Sequence, residues 1–352
     1  MDNTPQENNQ KKTNNKEKES WGVSLPGGAL QEAIIEKIQS ARSLWLTLKF
    51  LSCRQRLSRA KKEQKKQFED LKSRFVETYK NLKEYELAPY INRELERVLP
   101  KLEKPFYPNP QFSFLANSFI KYIMFLSRGG KVMKEELALL EKSYPSEKLK
   151  ELLIEDYLGN PLLMNAKYLT SHNSIHQLYH FTRYQSETRD DFEQFRFVVE
   201  WGGGYGSLAK IYHRLVQNPV TYIIFDIPLF SCVQWLYLSV TMGKDRVNLI
   251  QQPDQKIAER KINLVPVIFR EQFKNLEADL FISTWAISES GRQAQDFVIK
   301  EANWFNARHL LLAYSNSSLT IPDSQRIEVP AKEKGTKIID IEFLPGNHYG
   351  FV

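Results

Sequence analysis

A chain of 352 residues with 42% hydrophobic, 12% aromatic and 26% charged side chains has the apolar content for a sizeable core. That composition excludes collagen-like, wholly disordered and disulfide-stapled classes. The formal net charge of +7 is unevenly placed: residues 1–104 hold 22 Lys and Arg against 15 Asp and Glu, whereas residues 105–352 hold 27 of each, so the larger part is not a basic nucleic-acid platform.

Residues 1–20, rich in Asn, Gln, Lys and Glu, predict a disordered tail without the apolar segment of a secretory signal. Residues 21–190 read as a helical N-terminal domain. Leu30, Ile34, Ile35 and Ile38, and later Phe68, Leu71, Phe75 and Tyr79, recur at helical spacing between Gly28 and Leu99. Within it, Leu44–Leu51 (with Trp45 and Phe50) precedes a basic run of Arg54, Arg56, Arg59, Lys61, Lys62, Lys65 and Lys66. Two readings stand: a helix lying peripherally on an anionic membrane at its cytoplasmic face, or a solvated helix face. The run lacks interleaved aromatics for base stacking, which disfavours nucleic acid as a partner. Neither Leu44–Leu51 nor Phe119–Leu126 reaches the about 20 apolar residues of a bilayer span. Pro100, Pro105, Pro108 and Pro110 break the pattern; helices are then expected over Phe112–Arg128, Lys134–Leu140, Glu147–Tyr157 and Ser171–Gln185, with no strand before about residue 195. The two distant cysteines, Cys53 and Cys232, suit a reducing, cytoplasmic setting.

Beyond 190 the texture changes. Apolar, β-branched runs at Arg196–Trp201, Thr221–Ile227, Val247–Ile250, Ile262–Ile268, Asp279–Thr284, His309–Tyr314 and Lys337–Phe343 alternate with helical stretches at Ser207–Gln217, Leu229–Met242 and Gly291–Asn306. Such alternation predicts an α/β, Rossmann-like fold with a mainly parallel sheet over 191–352. The first strand runs into Glu200, Gly202, Gly203, Gly204 and Gly206 before a helix (VVEWGGGYGSLAKIY), a turn where glycines permit positive φ and close approach of a ligand to backbone. The dinucleotide fingerprint fits poorly, and the phosphate-binding Gly-Lys-Ser/Thr is missing. The next strand ends in Asp226, placed to accept hydrogen bonds from a ribose diol.

An acid before the glycines, glycine at every second position and an acid ending the next strand resemble the class I S-adenosylmethionine-dependent methyltransferases. That resemblance implies S-adenosylmethionine as cofactor, with Glu200, Gly202, Gly203, Gly204 and Gly206 at its methionine part and Asp226 at its ribose. Together with IHQLYHFTRY, YIIFDIPLFSCVQWLYL, DLFISTWAISE and LPGNHYGF, the turn is more closely similar to the sugar O-methyltransferases, bacterial proteins with a helical N-terminal part, over about residues 170–352. The implied activity is methyl transfer to a hydroxyl of a sugar or glycoconjugate. A non-carbohydrate small-molecule methyltransferase and a non-catalytic cofactor-fold binder stay open. Ser283-Thr284-Trp285-Ala286 stands where amino-methylating enzymes of nucleic acids carry Asn/Asp-Pro-Pro-aromatic, which disfavours that acceptor. The resemblance places Trp285 and Glu289 facing the transferred methyl; for Trp285 core packing is the alternative.

His172, His176 and His180 share one helix face. Three readings are open: a general base, a metal pair, or partly buried structural imidazoles. No Asp or Glu accompanies the face to suit magnesium. His176 and His180, nearest the cofactor turn, are the leading catalytic candidates, with Glu289 and His348 (in a tail turn at Pro345-Gly346 able to fold over the site) in reserve. Arg183 and Tyr184 are placed to meet the cofactor carboxylate or the sugar.

Overall fold

The computed structural model describes residues 55–124, 130–316 and 326–352, with positions 41 and 44. The tail over 1–20, the helical spacing from Gly28, most of Leu44–Leu51, Cys53 and Arg54 lie outside the described residues. Helix α1 (Gln55–Leu82) buries Phe68, Phe75, Tyr79 and Leu82 along one stripe, while Lys61, Lys62, Lys65 and Lys66 are exposed. Helix α2 (Arg93–Glu103) starts at Asn92, whose side-chain oxygen accepts from the Leu95 amide at 2.7 Å. Pro100 lies inside α2 and does not end it, contrary to expectation; near the C-terminal end the ring removes one backbone hydrogen bond without stopping the last turn.

Helices α3 (Ser118–Met124), α4 (Gly130–Ser143) and α5 (Ser146–Leu153) follow. A short antiparallel pair, β1 (Leu163–Asn165) and β2 (Thr170–Ser171), then corrects the expectation of a purely helical first half. Two or three residues per strand leave no alternation to read. Ser171 caps α6 (His172–Thr188), its hydroxyl accepting from the Ser174 amide, and Arg189 closes the helix in the left-handed conformation.

The eight-stranded sheet comprises β3 (Phe197–Trp201), β4 (Thr221–Asp226), β5 (Val247–Leu249), β6 (Ile262–Pro266), β7 (Leu280–Thr284), β8 (His309–Ser315), β9 (Lys337–Asp340) and β10 (Asn347–Phe351) in the order β5-β6-β4-β3-β7-β8-β10-β9. β3 to β8 pair in parallel, and β10 runs antiparallel between β8 and β9. Apart from edge strand β5, the parallel strands follow the 3-2-1-4-5 order of doubly wound Rossmann-like sheets, with the topological switch between β3 and β7. The tail expected to fold over the site is therefore a sheet strand: Gly346 makes the turn at φ 75°, and Tyr349 and Phe351 are buried within β10. The single helix expected over Gly291–Asn306 is broken into α10 (Arg292–Asp296), a π turn at Phe297–Glu301 and a 3-10 turn at Asn303–Asn306. Buried Trp304 and Phe305 hold left-handed backbone there, Phe305 stacking on Phe225 at 4.9 Å.

Helix α7 (Ser207–Leu215) follows β3, and α8 (Pro228–Met242) follows β4, with Pro228 in its first turn. Residues Pro228 to Val240 are all buried. A helix apolar on every side needs cover on every side; β4, β5 and β6 supply one wall and α1 another. Lys210 of α7, also buried, bonds Asp156 at 3.0 Å and the Tyr237 hydroxyl at 2.6 Å, with Glu155 at 3.7 Å and Arg214 on Asp156 at 3.1 Å. Burial opposes ionisation of Asp156, but Lys210 and Arg214 hold its carboxyl below the usual range. The described residues from 55 onward belong to one compact unit. Among the described residues no helix is long and apolar enough to cross a membrane.

Candidate active site

The bend between β3 and α7 lies at the carboxyl edge of the sheet, beside the topological switch. Its path begins with the Gly202 amide donating to the Phe225 carbonyl at 2.8 Å. Gly202 has φ 79°, and a Cβ there would stand 2.0 Å from the Cβ of Ala286, so neither conformation nor space admits a side chain. Gly204 has φ 57° but a Cβ would meet nothing within 4 Å, which leaves open space above the bend. Gly203 packs over Ile224, and Gly206 caps α7 without a side chain of its own.

Two acids underlie the bend. Glu200, only 2% exposed, accepts from the Tyr222 hydroxyl at 2.9 Å. Burial pushes its carboxyl up to about 8, against the Tyr222 bond, and Asp226 pushes in the same direction as burial. Asp226 accepts from the Gly204 amide at 3.2 Å, the Ile227 amide at 2.8 Å and the Gln234 side chain at 2.8 Å. Burial nonetheless pushes it up to about 7. Gln234 donates to the Gly204 carbonyl as well (3.0 Å), while its own side-chain oxygen is buried without a partner. Sequence reasoning missed Gln234; the signal was a carboxamide in an otherwise apolar helix, eight residues after Asp226.

These carboxyls set a pH dependence. The unfolded chain ionises them near 3.8 and 4.5, whereas the folded chain keeps its protons up to about 7 and 8. Their stabilising contribution is complete at the acid end and is lost as pH rises through the folded values, because the folded state there binds more protons than the unfolded one. The ligand-free protein should therefore lose stability from about pH 4 to 8. Urea midpoints across that range should fall for the wild type and fall less for Glu200→Gln; parallel slopes would contradict the buried placement of Glu200.

Two of the three histidines of α6 share an acidic partner from another helix, which corrects the expectation of an acid-free face. Glu136, on α4, meets His172 Nε2 at 2.9 Å and His176 Nδ1 at 2.5 Å. Burial alone would raise the Glu136 carboxyl, but His176 and His172 bring it below the usual range. The signal for Glu136 was an acid within the apolar stripe Met133, Leu137 and Leu140 of its own helix. His180 Nδ1 lies 2.8 Å from the Tyr349 hydroxyl, and burial with the neighbouring His176 lowers its pKa well below the ordinary histidine value. Nε2 of both His176 and His180 is buried without a partner. Among the described residues no three His, Cys, Asp or Glu are arranged to hold a metal.

Trp285 joins the histidines to the bend. It ends β7 in left-handed backbone (φ 64°), stacks on His176 at 5.4 Å, approaches His180 at 5.3 Å and donates from its indole to Asn347 at 2.8 Å. Its neighbour Ala286 abuts Gly202. Asn173 of α6 donates to the hydroxyl of Tyr205, inside the bend, at 2.8 Å. The fold thus brings together Glu200, Asp226, the glycines, Trp285, His176 and His180. It leaves out Arg183, whose guanidinium pairs with Glu187 at 3.2 Å on its own helix, and Tyr184, whose hydroxyl donates to Asp190. Glu289, at the end of α9 (Ala286–Glu289), reaches solvent, yet the atoms crowding its carboxyl raise its pKa above the usual range, and its backbone carbonyl accepts from the Asn92 side chain. His348 pairs with Asp340 on the neighbouring strand at 2.8 Å.

No family model matches the chain, and no curated protein does. Solved structures do. Fibrillarin from Aeropyrum pernix in complex with natively bound S-adenosyl-L-methionine is similar at 12% identity and a TM-score of 0.30, over 45% of this chain and 66% of that one. This chain therefore spans just under two thirds of that protein. An O-methyltransferase family protein from Burkholderia thailandensis matches at 12% identity and a TM-score of 0.33, covering 67% of this chain and 76% of its own. Magnesium protoporphyrin IX methyltransferase from Synechocystis PCC 6803 with bound SAH matches at 12% identity and 0.33, over 50% and 81%.

Proposed function

We propose that the protein is an S-adenosylmethionine-dependent O-methyltransferase whose acceptor is a hydroxyl of a sugar or glycoconjugate. The observation that carries this reading is the bend Gly202–Gly206 at the topological switch, open above Gly204 and backed by two carboxyls. Two buried carboxyls with no cationic side chain beside them suit a ligand that brings its own positive charge and favours their ionised form, and they are the wrong set for a pyrophosphate, which wants amide and cationic donors. Glu200 and the glycines would hold the methionine part and Asp226 the ribose, with Gln234 bracing both the bend and Asp226.

When bound, the cofactor supplies an electrophilic methyl on a positively charged sulfur. The chain's residues position the acceptor hydroxyl, exclude water and take its proton. His176, which has a buried free ring nitrogen, is the base, and general-base assistance of this kind typically contributes about 10²–10⁴-fold. Partly buried rings of Trp285, Tyr179 and Phe343 gather around His176 and offer apolar faces to the C–H surface of an acceptor ring. The sugar assignment itself rests on the sequence resemblance.

Calorimetry of the full chain with S-adenosylmethionine tests the site. Binding by the wild type is expected, with affinity about 10- to 100-fold weaker in Asp226→Ala, the range expected for losing a charged hydrogen-bonding group. A folded wild type that does not bind the compound overturns the reading. Methyl release assayed over monosaccharides, lipid-linked glycans and phenolic acceptors then decides the acceptor class.

A further inference from the structure

We infer that Glu136 is the positioning residue that makes His176 a base, by fixing which ring nitrogen carries the proton; the inference rests on the methyl-transfer reading above. An ionised carboxylate is an acceptor only, and the hydrogen bonds that Glu136 receives from two ring nitrogens favour that form. The nitrogens that face it must therefore be donors: His172 through Nε2–H at 2.9 Å and His176 through Nδ1–H at 2.5 Å. With Nδ1 protonated, neutral His176 keeps its lone pair on Nε2. That atom is buried, has no partner, and belongs to a ring stacked on Trp285 at the carboxyl end of β7.

A buried acceptor left unpaired costs free energy that a folded protein normally avoids, and an incoming acceptor hydroxyl would satisfy it. The step balances. The hydroxyl proton passes to Nε2 as the new O–C bond forms, the S–C bond breaks and its electron pair stays on sulfur. The imidazolium that results lies against the Glu136 carboxylate, so the charge created in the transition state has its counter-ion in place.

The other titratable groups facing His176 do not supply this. His172 shares the same carboxylate. His180, whose ring lies 4.2 Å from that of His176, is held neutral by burial and bonds Tyr349. Burial, as the larger cause, raises Tyr179, so it stays a neutral phenol.

Nitrogen-15 NMR of the full chain, labelled at histidine, reads the arrangement without any turnover. The wild type should show His176 as the Nδ1–H form with a pyridine-like Nε2. In Glu136→Gln, whose carboxamide can donate as well as accept, the preference for the Nδ1–H form should be lost and an Nε2–H signal should appear. Under the methyl-transfer assay the same variant should lower kcat with little change in KM, and Glu136→Asp should restore part of it. Glutamine keeps the shape, so a role in packing alone predicts an unmoved tautomer. An Nε2–H tautomer in the wild type, or an unchanged tautomer in a folded Glu136→Gln, overturns the inference. Correct tautomers without methyl transfer to any acceptor would instead fault the proposed activity and leave the Glu136–His176 pair standing.

Discussion

Gly202→Ala is expected to lower the stability of the protein by about 2–6 kcal/mol. Two penalties add. Left-handed backbone at φ 79° is unfavourable for any residue with a Cβ, by roughly 1–3 kcal/mol. The added methyl would also stand 2.0 Å from the Cβ of Ala286, a short, rigid neighbour that cannot rotate away. Overpacking of this kind costs about 1–3 kcal/mol. Thermal unfolding checks the value directly, and loss of cofactor binding should accompany it. Gly204→Ala is the control: φ there is 57° but a Cβ would meet nothing within 4 Å. Only the conformational cost of about 1–2 kcal/mol should appear, so a variant that stays folded yet binds the cofactor poorly would place ligand in the space above the bend. Equal destabilisation by the two substitutions would show that Ala286 does not crowd the turn.

Lys210→Met should destabilise by a similar amount, about 3–5 kcal/mol, the range for removing one partner of a buried ion pair. Asp156 would then keep one cation, Arg214, which is partly exposed and also donates to the Leu152 and Ile154 carbonyls, and Glu155 would lose the lysine it faces. The sign with pH is informative. Asp156 has a lowered folded pKa, so its contribution is present above the unfolded value of 3.8 and is lost as pH falls through the folded one. Without Lys210 that depression shrinks, so the gap between variant and wild type should narrow below about pH 4 in urea titrations. A constant gap would point to lost packing of the lysine stem in place of lost charge.

The strands of the parallel sheet and the glycine bend were legible in the sequence because buried parallel strands read as unbroken apolar runs, and glycine clusters announce unusual backbone. Thr221–Asp226 is such a run, buried at every position. What stayed hidden depends on contacts distant in the chain. Glu136 lies 40 residues before His176, and its acid within an apolar stripe was a readable but unread sign. Gln234 was masked in the same way by the apolar helix around it. Strand β10 has the sequence Asn-His-Tyr-Gly-Phe, which gives little β-signal until β8 and β9 flank it. The break after Asp296 arises from burying Trp304 and Phe305 against the sheet, a tertiary demand that local spacing does not express.

Helix α8 has a wider consequence. Because α1 shelters its outward flank, the sheet half owns no water-compatible exterior on that side. A shortened chain that began near residue 191 would present a greasy cylinder to solvent and be prone to clump. Gene fusions or excisions that treat the sheet as a portable module would have to carry the helix from Gln55 with it, so the two halves are obliged to be inherited, and to diverge, together.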